Sequence, residues 1–97
     1  MATYISLIKF TGQGIATLKQ GPDRLDSNKE MLKSFGSELR AFYLTMGRYD
    51  IVAISDAADD TTAAKVALAV GSAGNVSTET LRAFTEQEYR EIVAALP

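Results

Sequence analysis

Cysteine and histidine are both absent from this chain of 97 residues. Without cysteine there can be no disulfide, no thiolate nucleophile and no cysteine–zinc site. Without histidine the chain also lacks the most common general base and the most common ligand of transition metals. We therefore predict a protein that carries no metal ion and no cofactor of its own.

A basic stripe and a long apolar run are missing as well. The chain has ten Lys and Arg residues against twelve Asp and Glu residues, which gives a net charge of −2. Nucleic-acid-binding domains usually carry clustered basic residues, and a helix on a membrane surface needs a basic face. No stretch approaches the roughly 18 apolar residues of a membrane-spanning helix. We predict no nucleic-acid partner, no membrane association and a cytoplasmic location.

Length and hydrophobic pattern predict a single domain over residues 1–97. Apolar residues make up 46% of the chain, which is typical of a globular protein with one thin core. β-Branched and aromatic runs predict strands, whereas apolar residues at helical spacing predict helices. The predicted strands cover 4–10, 38–46, 49–55 and 76–84. The predicted helices cover 23–35, 61–70 and a segment after Thr85, with a loop over 11–14 and a short helical turn over 15–20.

This order of elements is β-α-β-β-α-β followed by a C-terminal helix. It predicts an α+β, ferredoxin-like fold with a four-stranded antiparallel sheet, in which the second and fourth strands form the edges and the first two long helices cover one face. Asp59 or Asp60 is expected to cap the helix over 61–70. Thr85 and Glu88 have the spacing of a capping box for the last helix.

Alternation along the strands divides the sheet into two sets of side chains. The first set is uniformly apolar, and we expect it to face the helices: Ile5, Leu7, Phe42, Leu44, Val52, Ile54, Leu81 and Ala83. The second set mixes apolar and polar residues: Tyr4, Ser6, Ile8, Phe10, Tyr43, Thr45, Ile51, Ala53, Ser55, Thr78, Thr80, Arg82 and Phe84. A mixed face of this kind favours sheet-to-sheet packing between two subunits, with a semi-polar cavity between them. We predict a homodimer of the α/β-barrel type, which could assemble into a higher homo-oligomer.

Three segments carry a resemblance to a known family. Ala2–Leu7 is similar to its first strand, Gly47–Asp50 to its signature, here with Arg48 between glycine and tyrosine, and Gly74–Thr85 to its second signature. On these segments the chain resembles, over nearly its whole length, the GYD domain family of the dimeric α/β-barrel superfamily. The resemblance implies no particular activity. Relatives in the superfamily include cofactor-free monooxygenases, lactone isomerases, haem-handling enzymes and ligand-binding regulators, so a small-molecule pocket is expected.

The first candidate ligand-binding cluster is Arg48, Tyr49 and Asp50, which we expect at a tight turn between two strands. Arg48 and Tyr49 could bind an anionic or enol-like ligand at the mouth of a cavity. The alternative is structural: Gly47 supplies a positive φ and Asp50 accepts hydrogen bonds from backbone amides of the loop.

The second candidate ligand-binding cluster is Thr78, Thr80 and Arg82, which share one side of the fourth strand. They could form the wall of a cavity, with Arg82 as the group that binds an anion. The alternative is a ladder at a subunit interface, with Arg82 paired to Glu79 or to a carboxylate of the partner.

The leading functional hypothesis is a small homo-oligomeric protein that binds a small molecule in a cavity at the sheet or subunit interface, or acts as an assembly module. The alternative is a cofactor-independent monooxygenase or isomerase acting on an enol-like substrate, with Tyr43, Tyr49 and Arg82 as candidate catalytic residues. A desolvated tyrosine or arginine can transfer a proton or hold an anion. A purely structural role, with sheets that pack without a cavity, is the third hypothesis.

Overall fold

The computed structural model describes all 97 residues and confirms the predicted order of elements. They are β1 (Ala2–Phe10), α1 (Gly12–Ala16), a 3₁₀ turn (Leu18–Gln20), α2 (Gly21–Ser34), β2 (Glu38–Leu44), β3 (Ile51–Ala57), α3 (Asp60–Ser72), β4 (Val76–Ala83) and α4 (Glu86–Ala94). The strands form one antiparallel sheet in the order β2-β3-β1-β4. This is the α+β, ferredoxin-like arrangement that the sequence predicts, with β2 and β4 at the edges.

Local capping explains where the helices begin. The Asp59 side chain accepts a hydrogen bond from the Thr62 amide and caps α3, as predicted. Thr85 and Glu88 form the predicted capping box of α4, with each side chain bonded to the other residue's backbone amide. Because these bonds favour the ionised acids, the pKa values of both Asp59 and Glu88 lie below their usual range.

The first connection contains more helix than the sequence predicts. Thr11 caps α1 through its side chain, so the segment predicted as a loop is the start of a short helix. Pro22 lies in the first turn of α2 and does not precede it. Proline is tolerated there because the first-turn amides have no partner within the helix.

Helices α2 and α3 lie over one face of the sheet, here named the covered face. The prediction of which side chains point toward the helices was wrong for most of the sheet. The covered face consists mainly of the mixed set, with hydroxyls between small and apolar residues: Tyr4, Ser6, Ile8, Leu39, Phe42, Ala53, Ser55, Ala57, Thr78 and Thr80. Mixed polarity is tolerated there because several of the hydroxyls find hydrogen-bond partners.

The opposite face, here named the open face, is the apolar one, and no helix of the chain packs on it. Strand register places its central side chains opposite one another across β1, β3, β2 and β4: Ile5, Leu7, Val52, Ile54, Tyr43, Ala41 and Leu81. Tyr43 is 59% exposed and Leu81 is 44% exposed. Tyr4 and Tyr43, expected together on one face, therefore lie on opposite faces of the sheet.

A β-bulge in β2 explains why Phe42 and Leu44 lie on the helix side, as predicted, while most of their predicted set lies on the open face. The register shifts between Leu39 and Ala41, so that Ala41 lies opposite Ile54 while Phe42 lies opposite Ala53. One extra residue in a strand reverses the faces of all residues after it. Strict alternation from the start of the strand cannot reveal that shift.

The core of the isolated chain is thin. Only seven of the 97 residues are buried, and no large side chain is fully buried. Helix α4 projects from the end of β4, and the molecule is 52 Å long but only 18 Å thick. None of the helices has the length and apolarity that a membrane span requires. Much of the apolar surface of this chain therefore remains exposed when the chain is considered alone.

Candidate functional site

A chamber of about 100 Å³ lies between the covered face and helices α2 and α3. Its floor is formed by strand residues, and its roof by residues of the two helices: Leu25, Asn28, Lys29, Leu32, Ala63, Val66, Ala67 and Val70. Two of the α3 residues in the roof are alanines, Ala63 and Ala67, whose short side chains fill little of the space above the sheet.

The walls of the chamber are mostly apolar but carry several hydroxyl groups. The Tyr4 hydroxyl donates to Asp60 Oδ1 at 2.5 Å, and this bond is the main reason that the pKa of Tyr4 is raised. The hydroxyls of Ser6 and Thr80 lie 3.3 Å apart on neighbouring strands. Ser37 is only 5% exposed, and its Oγ has no hydrogen-bond partner. A buried hydroxyl without a partner is costly, so Ser37 marks a polar position that a bound molecule could satisfy.

Beyond the chamber lies a wider groove of about 940 Å³, here named the outer groove. The two spaces share Ile8, Leu25, Asn28, Phe42 and Val70 as lining residues, so one continues into the other. Arg24 lies at the outer groove, where its guanidinium donates to Thr17 Oγ1 at 3.0 Å and to the Gly14 carbonyl at 3.5 Å. No carboxylate lies within 4.0 Å of Arg24.

The segment Gly47–Asp50 forms the turn between β2 and β3, and its residues have separate structural roles. Gly47 has φ +108°, which favours glycine, as the structural alternative predicts. Asp50 Oδ2 accepts a hydrogen bond from the Phe10 amide at 2.9 Å, and the Asp50 amide donates to the Ile8 carbonyl at 2.8 Å. Asp50 thus joins the turn to the end of β1.

Tyr49 extends from the same turn to the border of the open face. Its hydroxyl donates to Glu79 Oε2 at 2.8 Å, and Lys9 Nζ lies 5.5 Å from the centre of its ring. The hydrogen bond to Glu79 is the main reason that the pKa of Tyr49 is raised. Tyr49 therefore connects the segment Gly47–Asp50 to the segment Gly74–Thr85, which contains Glu79.

The candidate site residues are divided among different surfaces. Thr78 and Thr80 line the chamber. Arg82, two residues after Thr80 in β4, is exposed. Its guanidinium carbon lies 5.7 Å from the centre of the Tyr4 ring and 4.4 Å from the centre of the Phe84 ring. Tyr43 lies on the open face. The structure thus brings Thr78 and Thr80 together with Tyr4, but it does not bring Tyr43, Tyr49 and Arg82 into one site within a single chain.

Arg48, the remaining candidate, is exposed at the turn and makes no hydrogen bond or ion pair with another side chain. The sequence analysis missed Ser37, Arg24 and Asn28. Ser37 follows Gly36, whose φ of +74° ends α2, and a small polar residue after such a glycine is common in loops. No pattern in the sequence distinguishes it from an ordinary turn residue.

Comparisons with known proteins place the chain in a family. The model of the GYD domain matches residues 4–93. A Thermus thermophilus protein named glutamine synthetase and cystathionine beta-lyase binding protein is 38% identical over 84 residues, which are 86% of this chain and 88% of that protein. The crystal structure of TTHA0845 from the same species aligns with a TM-score of 0.57 at 26% identity, over 88% of this chain and 95% of that one. The resemblance is thereby confirmed, and the chain belongs to the GYD domain family.

Proposed function

We propose that this protein is a homodimeric binding module of the cytoplasm that holds a small molecule in the chamber. The single observation that carries the proposal is the chamber itself, where the buried Ser37 hydroxyl has no partner. Its largely apolar walls with a few polar groups have the composition of small-molecule sites, but its volume of about 100 Å³ is below the roughly 300 Å³ of the smallest typical ones. The ligand would therefore have only a few heavy atoms or extend into the outer groove. It would be mostly apolar, with one group that forms a hydrogen bond to Ser37.

The proposed dimer pairs the open faces of two copies. An apolar sheet surface with several aliphatic side chains is unfavourable in water, at roughly 25 cal/mol for each Å² left exposed. The border of this face is polar, with Lys9 and Glu79 at one end and the ion pair between Arg40 and Asp56, 2.7 Å apart, at the other. An apolar centre with a polar rim is the usual composition of a protein interface.

Native mass spectrometry of the protein from its own host tests both parts of this proposal. We expect a dimer that carries a reproducible additional small mass, which disappears under denaturing conditions. Ala67→Leu fills the chamber and should give the dimer without the added mass. Ala64→Leu changes an exposed position of the same helix and should retain the ligand. A dimer with no added mass in the wild-type chain would overturn the chamber proposal, and a monomer would overturn the dimer.

A second candidate function is binding to metabolic enzymes. The Thermus relative is named for binding to glutamine synthetase and cystathionine beta-lyase, and it matches most of this chain. We propose that this chain binds enzymes of the same kind. Purified glutamine synthetase and cystathionine beta-lyase from its own host, passed separately over the immobilised protein, should each be retained, while an unrelated enzyme of similar charge should pass through. Passage of both enzymes without retention would overturn this second candidate function.

The alternative of a cofactor-independent monooxygenase or isomerase needs residues from two subunits. In the proposed dimer, Tyr43 and Tyr49 of both copies would lie at the interface, whereas Arg82 would remain on the other side of the sheet. A reaction on an enol-like substrate would therefore occur between the sheets. Tyr43→Phe and Tyr49→Phe would abolish turnover in that case, and they would leave binding in the chamber unchanged.

A further inference from the structure

Helix α4 is amphipathic, and its apolar side has no partner in its own chain. Tyr89, Ile92 and Val93 lie on one side of the helix. Leu96 follows two residues after the helix ends, and all four side chains are between 46% and 64% exposed. A helix of nine residues is marginal in water without packing, even with the capping box that begins it. Its stability therefore requires a surface on which this stripe can pack.

The outer groove provides a surface of the required kind. Its lining is mainly apolar and includes the exposed side chains of Leu18 and Leu44. A groove of about 940 Å³ between helices and sheet suits an amphipathic helix that inserts its apolar side chains. The chain thus contains an amphipathic helix whose apolar side is not packed and an apolar groove that no helix of the same chain fills.

The two cannot meet within one chain. Strand β4 has Val76 opposite Phe10 at the outer groove and Ala83 opposite Thr3 at the other end of the sheet. The eight residues of β4 separate these ends by roughly 23 Å. Helix α4 follows Ala83 after only two residues and is roughly 14 Å long. It is too short to reach the far end of its own groove.

The charges of the two surfaces are complementary. Glu86 borders the apolar stripe of α4, three residues before Tyr89. Its ion pair with Arg90, 2.9 Å long, is exposed and contributes little to stability, so Glu86 can face a cation of another chain. Glu88 borders the other side of the stripe but is held in the capping box. Arg24 in the outer groove has no carboxylate within 4.0 Å. Asp23 also lines the groove, but it lies in the first turn of α2, where the helix dipole stabilises a carboxylate.

We propose that α4 of one copy docks in the outer groove of a second copy, with its acidic border toward Arg24. The docked helix covers the outer end of the chamber, because the groove and the chamber share lining residues. Reciprocal exchange closes a dimer, whereas exchange in one direction builds a larger ring. Docking of α4 does not depend on pairing of the open faces, since the groove lies on the other side of the sheet.

The absence of cysteine in the chain allows a direct test by disulfide trapping. Leu96→Cys places a thiol two residues after the end of α4, and Leu18→Cys and Leu44→Cys place one at the outer groove. Full-length single-cysteine variants are mixed, oxidised gently and analysed by intact-mass spectrometry. We expect Leu96→Cys to form mixed dimers with at least one groove variant about tenfold faster than the matched control Glu91→Cys, on the opposite side of α4, because docking raises the local thiol concentration.

Two results would overturn the proposal. Equal rates for Leu96→Cys and Glu91→Cys with both groove variants would mean that α4 does not dock in the groove. Preferential pairing of Leu96→Cys with Ile54→Cys would place the helix on the open face of the second copy. Arg24→Glu, in the groove variant that reacts, should slow trapping, and the same substitution with Glu86→Lys in the partner should restore part of the rate.

Discussion

The two faces of the sheet differ in what they contain and in what covers them. The covered face carries hydroxyls and small side chains, yet two helices lie over it and leave a chamber. The open face carries Ile5, Leu7, Val52 and Ile54 at its centre, yet nothing in the chain covers it. The more apolar face is thus the one that the chain itself does not bury. In this protein, intrachain burial and apolarity do not coincide, so the hydrophobic pattern of the strands does not identify the face that the chain itself buries.

A charge at the centre of the open face should have the strongest effect. In the proposed dimer Ile54→Asp buries an unpaired carboxylate in each copy, which costs several kcal/mol. We expect multi-angle light scattering at micromolar concentration to give a lower molar mass than for the wild-type chain, because pairing of the open faces is lost. Ala58→Asp adds the same charge at an exposed position and should leave the molar mass unchanged. A wild-type molar mass for Ile54→Asp would mean that the open face is not an interface.

Asp50 fixes the turn between β2 and β3 to β1, and its removal should have the next strongest effect. Asp50→Ala leaves the Phe10 amide without its acceptor at 2.9 Å, and hydrogen bonds to charged groups contribute about 1.5–3 kcal/mol. We expect the free energy of unfolding in urea to fall by that amount. Arg48→Ala in the same turn should change it by less than about 0.5 kcal/mol, because Arg48 is exposed and has no side-chain partner. Equal effects of the two substitutions would contradict this assignment.

Filling the chamber should change stability in the opposite direction. Ala67→Leu adds apolar volume to a space of about 100 Å³, and cavity-filling substitutions commonly stabilise by about 0.5–2 kcal/mol. We expect the midpoint of thermal unfolding of the ligand-free protein to rise. Ala64→Leu, on the exposed side of α3, should have little effect. A lower midpoint for Ala67→Leu would mean that the ligand-free chamber is too narrow to accept the larger side chain.

Local rules predict most of the fold. The caps at Asp59 and Thr85 and the positive φ of Gly47 follow from residues close in sequence. The order of strands follows from the β-α-β-β-α-β order of elements. The orientation of the sheet could not be predicted, because alternation separates two faces without showing which one the helices cover. The bulge before Ala41 could not be predicted either, because it depends on how β2 pairs with β3.

The candidate site was only partly predictable for a related reason. Thr78 and Thr80 line the chamber because they alternate with open-face residues along β4. Ser37 could not be found, because the lack of a hydrogen-bond partner depends on how α2, β2 and α3 meet in space. Tyr49 is conspicuous in the sequence, but its partner Glu79 lies 30 residues away.

The weakest effect should come from a feature that both faces share, a tyrosine hydroxyl bonded to a carboxylate. Tyr4 donates to Asp60 near the covered face, and Tyr49 donates to Glu79 at the border of the open face, so both pKa values are raised above 10.0. A pKa that is higher in the folded state means that the folded chain holds the proton more tightly than the unfolded chain. This contribution to stability is complete below pH 10 and is lost as the pH rises through the folded-state pKa.

Tyr4→Phe and Tyr49→Phe should therefore each make the free energy of unfolding less dependent on pH above 10, when measured by urea unfolding at several alkaline pH values. Dimer formation should distinguish the two tyrosines. Pairing of the open faces would bring a second copy close to Tyr49 and leave the surroundings of Tyr4 unchanged. In the Ile54→Asp background, where the open faces no longer pair, the titration of Tyr49 should shift relative to that in the wild-type chain, while the titration of Tyr4 should stay the same. Each titration is obtained as the difference in tyrosinate absorbance between the chain with that tyrosine and the corresponding Tyr→Phe variant. A shift of Tyr4 alone would indicate that the subunits meet through the covered side of the molecule.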